Sequence, residues 1–437
     1  VVPILATDDD LRGLITELIE MPAADTESQA AQRLTVLEEI KSAAAAAQAR
    51  EAGRYDELRN VDEVARKVPK ARQGRGLSAE IGLARKASPQ KGAQYLGFAR
   101  AMNEMPHTYA ALQTGVLTEW RATILVRETG YLTREAREEI DRRMCAHPES
   151  LIGKSDKQID ADAKKHAYEL DPHAVVGRAA KAEKHRRVTS RPAPDLMAKV
   201  TALLPMKQGV AVYAALKRHA DSVIGGDDRT RDQIMADTLV ERVTGQATAQ
   251  AVPVAVNLVI STDSLLGLSD EVAEIPGQGP IPAAMARRMI VDGLDLAETE
   301  TTLRRLFARP DDGTLVSMES RARAFPKGLA HLVRVRDRWC RTAYCGNVIA
   351  EIDHAKSHAD GGATNVDNAD GCCRTHNRAK EMPGWIYRVY RSDRGHTMNV
   401  TTPTGDCHST TAPAAVGYRP GEISRAEIRF HQWLAVA

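Results

Sequence analysis

From Leu11 to about Ala251, apolar residues return every three or four positions, as in Leu11, Leu14, Ile15, Leu18 and Ile19. That period places them on one face of an α-helix, so more than half of the chain is committed to a multi-helix body. Composition agrees: aromatic residues are only 4% of the 437, and alanine runs such as Ala43 to Ala47 favour helix over strand. A chain of this length can bury the cores of two to four domains. Within the body, a long helix carrying Leu34, Leu37 and Ile40 is expected to end near Gly53, and another to start at Ser78. Further helices open at Met105-Pro106 and behind the N-cap of Asp228-Arg229-Thr230.

The pattern changes at Val252 to Ile260, a β-branched run that predicts a buried strand. Gly277 to Pro282 predicts a loop, Ala283 to Ile290 a helix, and Leu306 to Val316, turning at Asp311-Asp312-Gly313, a hairpin. The main boundary is expected between Met318 and Pro326. No run approaches the ~18 apolar residues of a membrane span, and the first residues lack the basic flank of a secretory signal. A cytoplasmic protein without a membrane partner is therefore expected. The formal charge of +2, from 60 basic and 58 acidic residues, does not point to a polyanionic partner, so any such partner must be sought in local charge.

Four of the six cysteines, Cys340, Cys345, Cys372 and Cys373, fall in one short stretch. Cys340 and Cys345 have four residues between them, Cys373 and His376 two, and the two pairs bracket a short intervening segment. Three thiolates and an imidazole suit the tetrahedral S/N preference of structural zinc. Four incidental buried cysteines are the alternative. Cys372 could replace Cys373 as a ligand, although it stands where an apolar strand residue would fit.

Between the pairs come Ile352-Asp353-His354, Gly361-Gly362-Ala363-Thr364 and Asn368, followed by His376-Asn377 inside a predicted helix. This order resembles the HNH, or ββα-metal, endonuclease family. His354 and Asn368 match its first two motif residues, and Asn377 stands where histidine is more usual, an HNN variant. The resemblance implies a small zinc-bound ββα domain hydrolysing phosphodiester bonds. His354 would activate water, while Asp353 and Asn377 would hold one divalent cation, Mg²⁺ or Mn²⁺, as hard oxygen ligands. Asn368 would tie the loop behind the His354 strand, and His358 would pack beside the site. The structural zinc ligands would be Cys340, Cys345, Cys373 and His376.

DNA is the expected partner. Arg321, Arg323, Lys327, Arg334, Arg336, Arg338 and Arg341 face only Asp337 over their span, and Arg374, Arg378 and Lys380 lie on the presumed ββα helix. Arg334, Arg336, Arg338, Arg341, Arg374, Arg378 and Lys380 are the candidate phosphate contacts. A second basic run, Arg178 to Arg191, reads as an exposed helix face or linker. Trp385 to Tyr390 and Thr397 to Val400, turning at Ser392 to Gly395, predict a hairpin, with Pro403 and Gly405 ending regular structure. The hairpin, with Met105 to Gly115, Asp228 to Thr230, Gly277 to Ala286 and Arg304 to Leu315, resembles a two-domain subfamily in which a helical domain of unknown function 222 precedes the nuclease.

The expectation is a mainly α protein: a helical domain with a few strands over 1–320, the HNH domain with its zinc site and closing hairpin over 321–410, and an extension over 411–437. Two other readings stay open. The HNN module could be a catalytically inactive, zinc-stabilised DNA-binding domain, or an RNA nuclease.

Overall fold

The computed structural model describes residues 7–195, 197–226, 228–246, 258–275, 279–295, 324–392 and 395–418. In chain order these form α1 (Asp8–Glu20), α2 (Glu27–Ala65), α3 (Leu77–Ala84), α4 (Pro89–Met102), α5 (Pro106–Gln113), α6 (Glu119–Thr129), α7 (Arg134–Cys145), α8 (Asp156–Leu170) and α9 (Pro172–Lys184). The hairpin β1 (Arg187–Ala193) and β2 (Met197–Leu203), α10 (Met206–Val223), α11 (Arg231–Thr244), α12 (Thr262–Leu265), β3 (Ala273–Ile275), β4 (Gly279–Ile281) and α13 (Ala283–Asp295) follow. The C-terminal part holds α14 (Lys327–Asp337), β5 (Glu351–His354), β6 (Ala369–Cys372), α15 (Arg374–Lys380), β7 (Ile386–Ser392), β8 (Gly395–Thr401) and β9 (Cys407–Thr411). The chain is mainly helical with small antiparallel sheets.

Two compact units emerge, residues 1–67 with 95–177, and residues 68–94 with 178–437. They do not follow the expected boundary at 320. In the first unit, α2 runs straight through Gly53, because Gly53 is buried and Asn103 lies 3.7 Å from where its Cβ would stand. Buried Ala45, Ala46, Ala49 and Ala52 line this helix. Thr26, Thr118, Thr133 and Ser155 cap α2, α6, α7 and α8 through their hydroxyls. The fully buried Asp141 on α7 accepts the free N–H groups of His107 and Thr108 at the start of α5.

Among the described residues, three hydrophobic cores of the second unit lie apart from its cysteine cluster. β3, β4 and α13 bury Ala273, Ile281 and Ala286, so Gly279–Ile281 is a strand where a loop was expected; residues 276–278 are outside the description. The predicted strand at Val252 to Ile260 is described only from Leu258, with Val259 bridging Glu274. The 306–316 hairpin and Arg321 and Arg323 lie outside the described residues. Around α14, Leu329 and Val333 pack on Val366 and Ala369.

The third core joins distant segments: Ala79 and Leu83 of α3 pack with Ala343, Ala379, Trp385, Tyr387, Met398 and Val400. Burying Leu83 alone contributes roughly 2 kcal/mol. A segment from the predicted N-terminal domain thus completes the core beside α15. Gly92, at the start of α4, permits this packing because a Cβ there would stand 1.9 Å from the Ser78 carbonyl oxygen. The predicted β7–β8 hairpin is present and gains a third strand, β9, beyond a turn at Pro403 and Gly405. The second basic run divides between α9 and the exposed β1.

Candidate metal centre and active site

Cys340 and Cys345 flank a turn after α14, Cys373 is the N-cap of α15, and His376 lies in its first turn. All four are buried, and their ligand atoms lie within 4.8 Å of one another. Cys345 Sγ is 3.7 Å from Cys373 Sγ, and His376 Nδ1 is 3.4 Å from Cys340 Sγ and 3.6 Å from Cys373 Sγ. A tetrahedral zinc has S···S edges of about 3.8 Å and S···N edges of about 3.6 Å, close to these three separations. Hydrogen bonds from Cys340 and Cys345 hold the Cys373 thiol below its ordinary range, and bonding to Cys345 and Cys373 pushes Cys340 up. A divalent cation lets all three ionise, which protons cannot.

Cys372 is not in this group. It pairs with Glu351 on β6, is fully buried, and its thiol donates to Asp370 Oδ2 at 2.9 Å. Outside the four donors, the Asn347 amide donates to Cys345 Sγ at 3.0 Å and to Gln90 Oε1 at 2.8 Å. Neither partner carried a sequence signal, because the contacts depend on the packing of the α3–α4 segment.

β5 and β6 pair antiparallel, with Asp353 opposite Asp370 and His354 opposite Ala369. Side chains alternate along β5, so Glu351 and Asp353 share one face. Across from them, α15 presents Asn377 and Lys380 at i, i+3 spacing. Asn377 Nδ2 donates to Glu351, and the Lys380 ammonium donates to Asp353 Oδ2 at 2.5 Å and to the His354 carbonyl at 2.8 Å. Burial raises the Asp353 carboxyl, but Lys380 and the His354 N–H outweigh it and bring it below its ordinary value. Asn377 Oδ1 is buried and has no hydrogen-bond partner. An orphaned amide oxygen near a carboxylate strand fits a hard cation, and these two residues could hold one.

His354 is buried, its ring 4.5 Å from Phe325 and edge-on to His358 at 5.5 Å. Its Nε2 is 2.8 Å from Thr364 Oγ1, and its Nδ1 is 3.8 Å from Asp353 Oδ1. Burial holds the imidazole below its ordinary value, which favours its neutral form. Asn368 closes the loop behind it: its Oδ1 accepts the Lys356 N–H at 2.9 Å, and its Nδ2 donates to Lys356 O and Ala363 O. Gly362 completes this fold-back, since a Cβ there would stand 1.9 Å from Lys356 O. Glu351 and Thr364 were missed. The alternation from Asp353 pointed to Glu351; Thr364 reaches His354 only through loop closure.

The predicted phosphate contacts divide. Arg334, Arg374 and Arg378 are exposed. Arg336 and Arg341 are corrected: both are buried against Asp337, with Arg336 Nε at 2.6 Å and Arg341 Nη1 at 3.0 Å from its Oδ1. Arg336 also donates to Val366 O and Ala369 O, and Arg341 to His396 O and Thr410 O. Two guanidinium forks around one carboxylate lock α14 to β6, β8 and β9 and bury both arginines away from the surface that a phosphate could reach. Lys380 is likewise spent on Asp353, its side chain only 8% exposed. Arg338 is half-buried, donating to Ala414 O and pairing with Glu274.

Among the described residues, no helix is long and apolar enough to cross a membrane. No curated protein and no solved structure matches the chain. Residues 34–337, most of the chain, match the family described as Domain of unknown function (DUF222), and the Cys₃His cluster and the β5–β6–α15 site follow that match. The chain belongs to the DUF222 family.

Proposed function

We propose that the β5–β6–α15 module is an HNH-type, ββα-metal endonuclease hydrolysing phosphodiester bonds in DNA, stabilised by zinc at Cys340, Cys345, Cys373 and His376. The observation that carries this reading is the buried, unpartnered Asn377 Oδ1 set across from the strand that bears Asp353 and His354. Asp353 and Asn377 would hold Mg²⁺ or Mn²⁺, which supplies charge stabilisation to the scissile phosphate and its leaving oxygen. With Nε2 engaged by Thr364, His354 keeps Nδ1 to take the proton of the attacking water. Asn368 holds the loop that sets this imidazole, and Lys380 fixes the Asp353 carboxylate. Exposed Arg334, Arg374 and Arg378 are left to meet the DNA backbone.

Cleavage of plasmid DNA with added Mg²⁺ or Mn²⁺ tests the reading. His354→Ala should lose about 10²-fold or more, and equal cleavage by both proteins would refute it. A second reading, a zinc-stabilised DNA-binding module without hydrolysis, is favoured by the Lys380 ammonium, which already occupies Asp353 Oδ2. Strong activity appearing only in Asn377→His would support it. The site grips a phosphate rather than a base, so parallel digestion of RNA decides between nucleic acids.

A further inference from the structure

Beside the β5–α15 face, the second unit contains an open groove of about 520 Å³ whose walls come from segments far apart in the sequence, Arg75, Gly76 and Ser78 on one side, Thr375 and Arg378 on the other. Its floor is the start of α3. Gly76, the N-cap, is left-handed (φ 89°) and has no side chain to cap the helix; the N–H groups of Ala79 and Glu80 bond back to its carbonyl, which leaves those of Leu77 and Ser78 as donors at the positive end of α3. Arg75 and Arg378 are both exposed, and no side-chain hydrogen bond or ion pair engages either of them, Ser78 or Thr375 among the described residues. A second feature converges on the same corner. Trp385, only 7% exposed, has an indole N–H with no acceptor, and its Nε1 lies 3.0 Å from where a Cβ on Gly76 would stand.

We infer that this groove binds a phosphate of the nucleic-acid backbone, with Arg75 of the DUF222 segment and Arg378 of α15 supplying the charge and the α3 N-terminus the N–H donors. The inference deepens the nuclease reading and rests on it for the identity of the polyanion. Arg378 follows Asn377 directly on α15, so the phosphate held here flanks the scissile one. Arginine forks and helix N-termini are both suited to phosphate oxygens, and here they meet in one groove. The segment at residues 68–94 thereby acquires a role: it completes the core next to α15 and carries half of the backbone grip. Glu381 also lines the groove and opposes the anion, which gives the proposal a second sign to test.

The test is binding of the zinc-loaded full chain to a fluorescein-labelled DNA duplex without added Mg²⁺ or Mn²⁺, read by anisotropy across a salt series. The double variant Arg75→Gln/Arg378→Gln should reduce the slope of log K against log salt by about 0.9, the contribution of one phosphate, and each single variant by a part of that. Arg75→Lys should keep the slope, and Glu381→Gln should tighten binding severalfold. A far-ultraviolet circular dichroism melt unchanged from wild type ties these effects to the groove rather than to folding. A double variant with wild-type slope, or a wild type that binds no DNA, overturns the inference. If DNA is cut while the slopes stay put, the groove is wrong and the nuclease stands. If the slopes fall while wild type and His354→Ala cleave equally, the groove stands and the nuclease fails.

Discussion

His396 should make the second unit acid-labile by a predictable amount. It sits on β8, 5% exposed, with Nε2 2.9 Å from the Asp367 carbonyl and Nδ1 3.4 Å from Arg341 Nη1. Burial, then the charges of Arg336 and Arg341, bring its pKa down to about 4 from an ordinary 6.5. In the folded protein it is neutral, donating to Asp367 and facing the guanidinium with a lone pair. At about 1.36 kcal/mol per pH unit, the difference is worth about 3 kcal/mol. Because the folded value is depressed, that stability is fully present above pH 6.5 and is lost as pH falls through 4. Urea unfolding followed by tryptophan fluorescence between pH 7 and 4 measures it. His396→Gln keeps a donor for Asp367 but cannot titrate, so its stability should fall less steeply over this window, by up to about 3 kcal/mol. Acid release of zinc affects both proteins and cancels in the difference. Parallel curves for wild type and variant would refute the assignment.

Chelation, or Cys340→Ser, should lower the thermal midpoint of the second unit by circular dichroism, since a cation held by these four buried donors adds its binding free energy to folding; an unchanged melt would count against zinc. Asp337→Asn leaves Arg336 and Arg341 buried without a counter-charge and should cost about 3–5 kcal/mol in urea titrations, against less than about 1 kcal/mol for a surface pair such as Lys41–Glu38. Asn368→Ala removes the three hydrogen bonds to Lys356 and Ala363 and should destabilise by about 1–3 kcal/mol, lowering the cleavage rate more than DNA binding; a variant with wild-type turnover would remove Asn368 from the support of His354.

What could be read from the sequence follows from how local each feature is. The Cys₃His group is set by short spacings on adjacent turn and helix and stands where spacing put it, and the Asn368 contacts to Lys356 and Ala363 lie within one short loop. Capping at Thr230 and the β7–β8 hairpin are local in the same sense. Charge, by contrast, carries no depth. In the basic stripe before Cys345, Arg334 is exposed while Arg336 and Arg341 are buried, and the one acid in that stripe, Asp337, is the reason. A lone carboxylate among arginines signals a buried cluster at least as well as a weakly opposed phosphate surface. Lys380 poses the same ambiguity, although its spacing of three from Asn377 already placed it on the face that meets β5.

The α3 segment lay beyond reach for another reason. Nothing in Leu77–Ala84 distinguishes its apolar side from that of its neighbours in the helical body, and its partners Trp385, Tyr387 and Met398 are some 300 residues away. Pairing across that separation depends on which surfaces remain unburied once each local element has formed, a property of the whole unit rather than of either stretch. For that reason the 320 boundary cuts through a unit whose core needs both sides. One consequence follows for dissection of the protein. A fragment beginning near residue 321 would expose Ala379, Trp385 and Tyr387 where α3 now covers them, so the segment at residues 68–94 belongs with the candidate nuclease module in any experiment that asks what the module does.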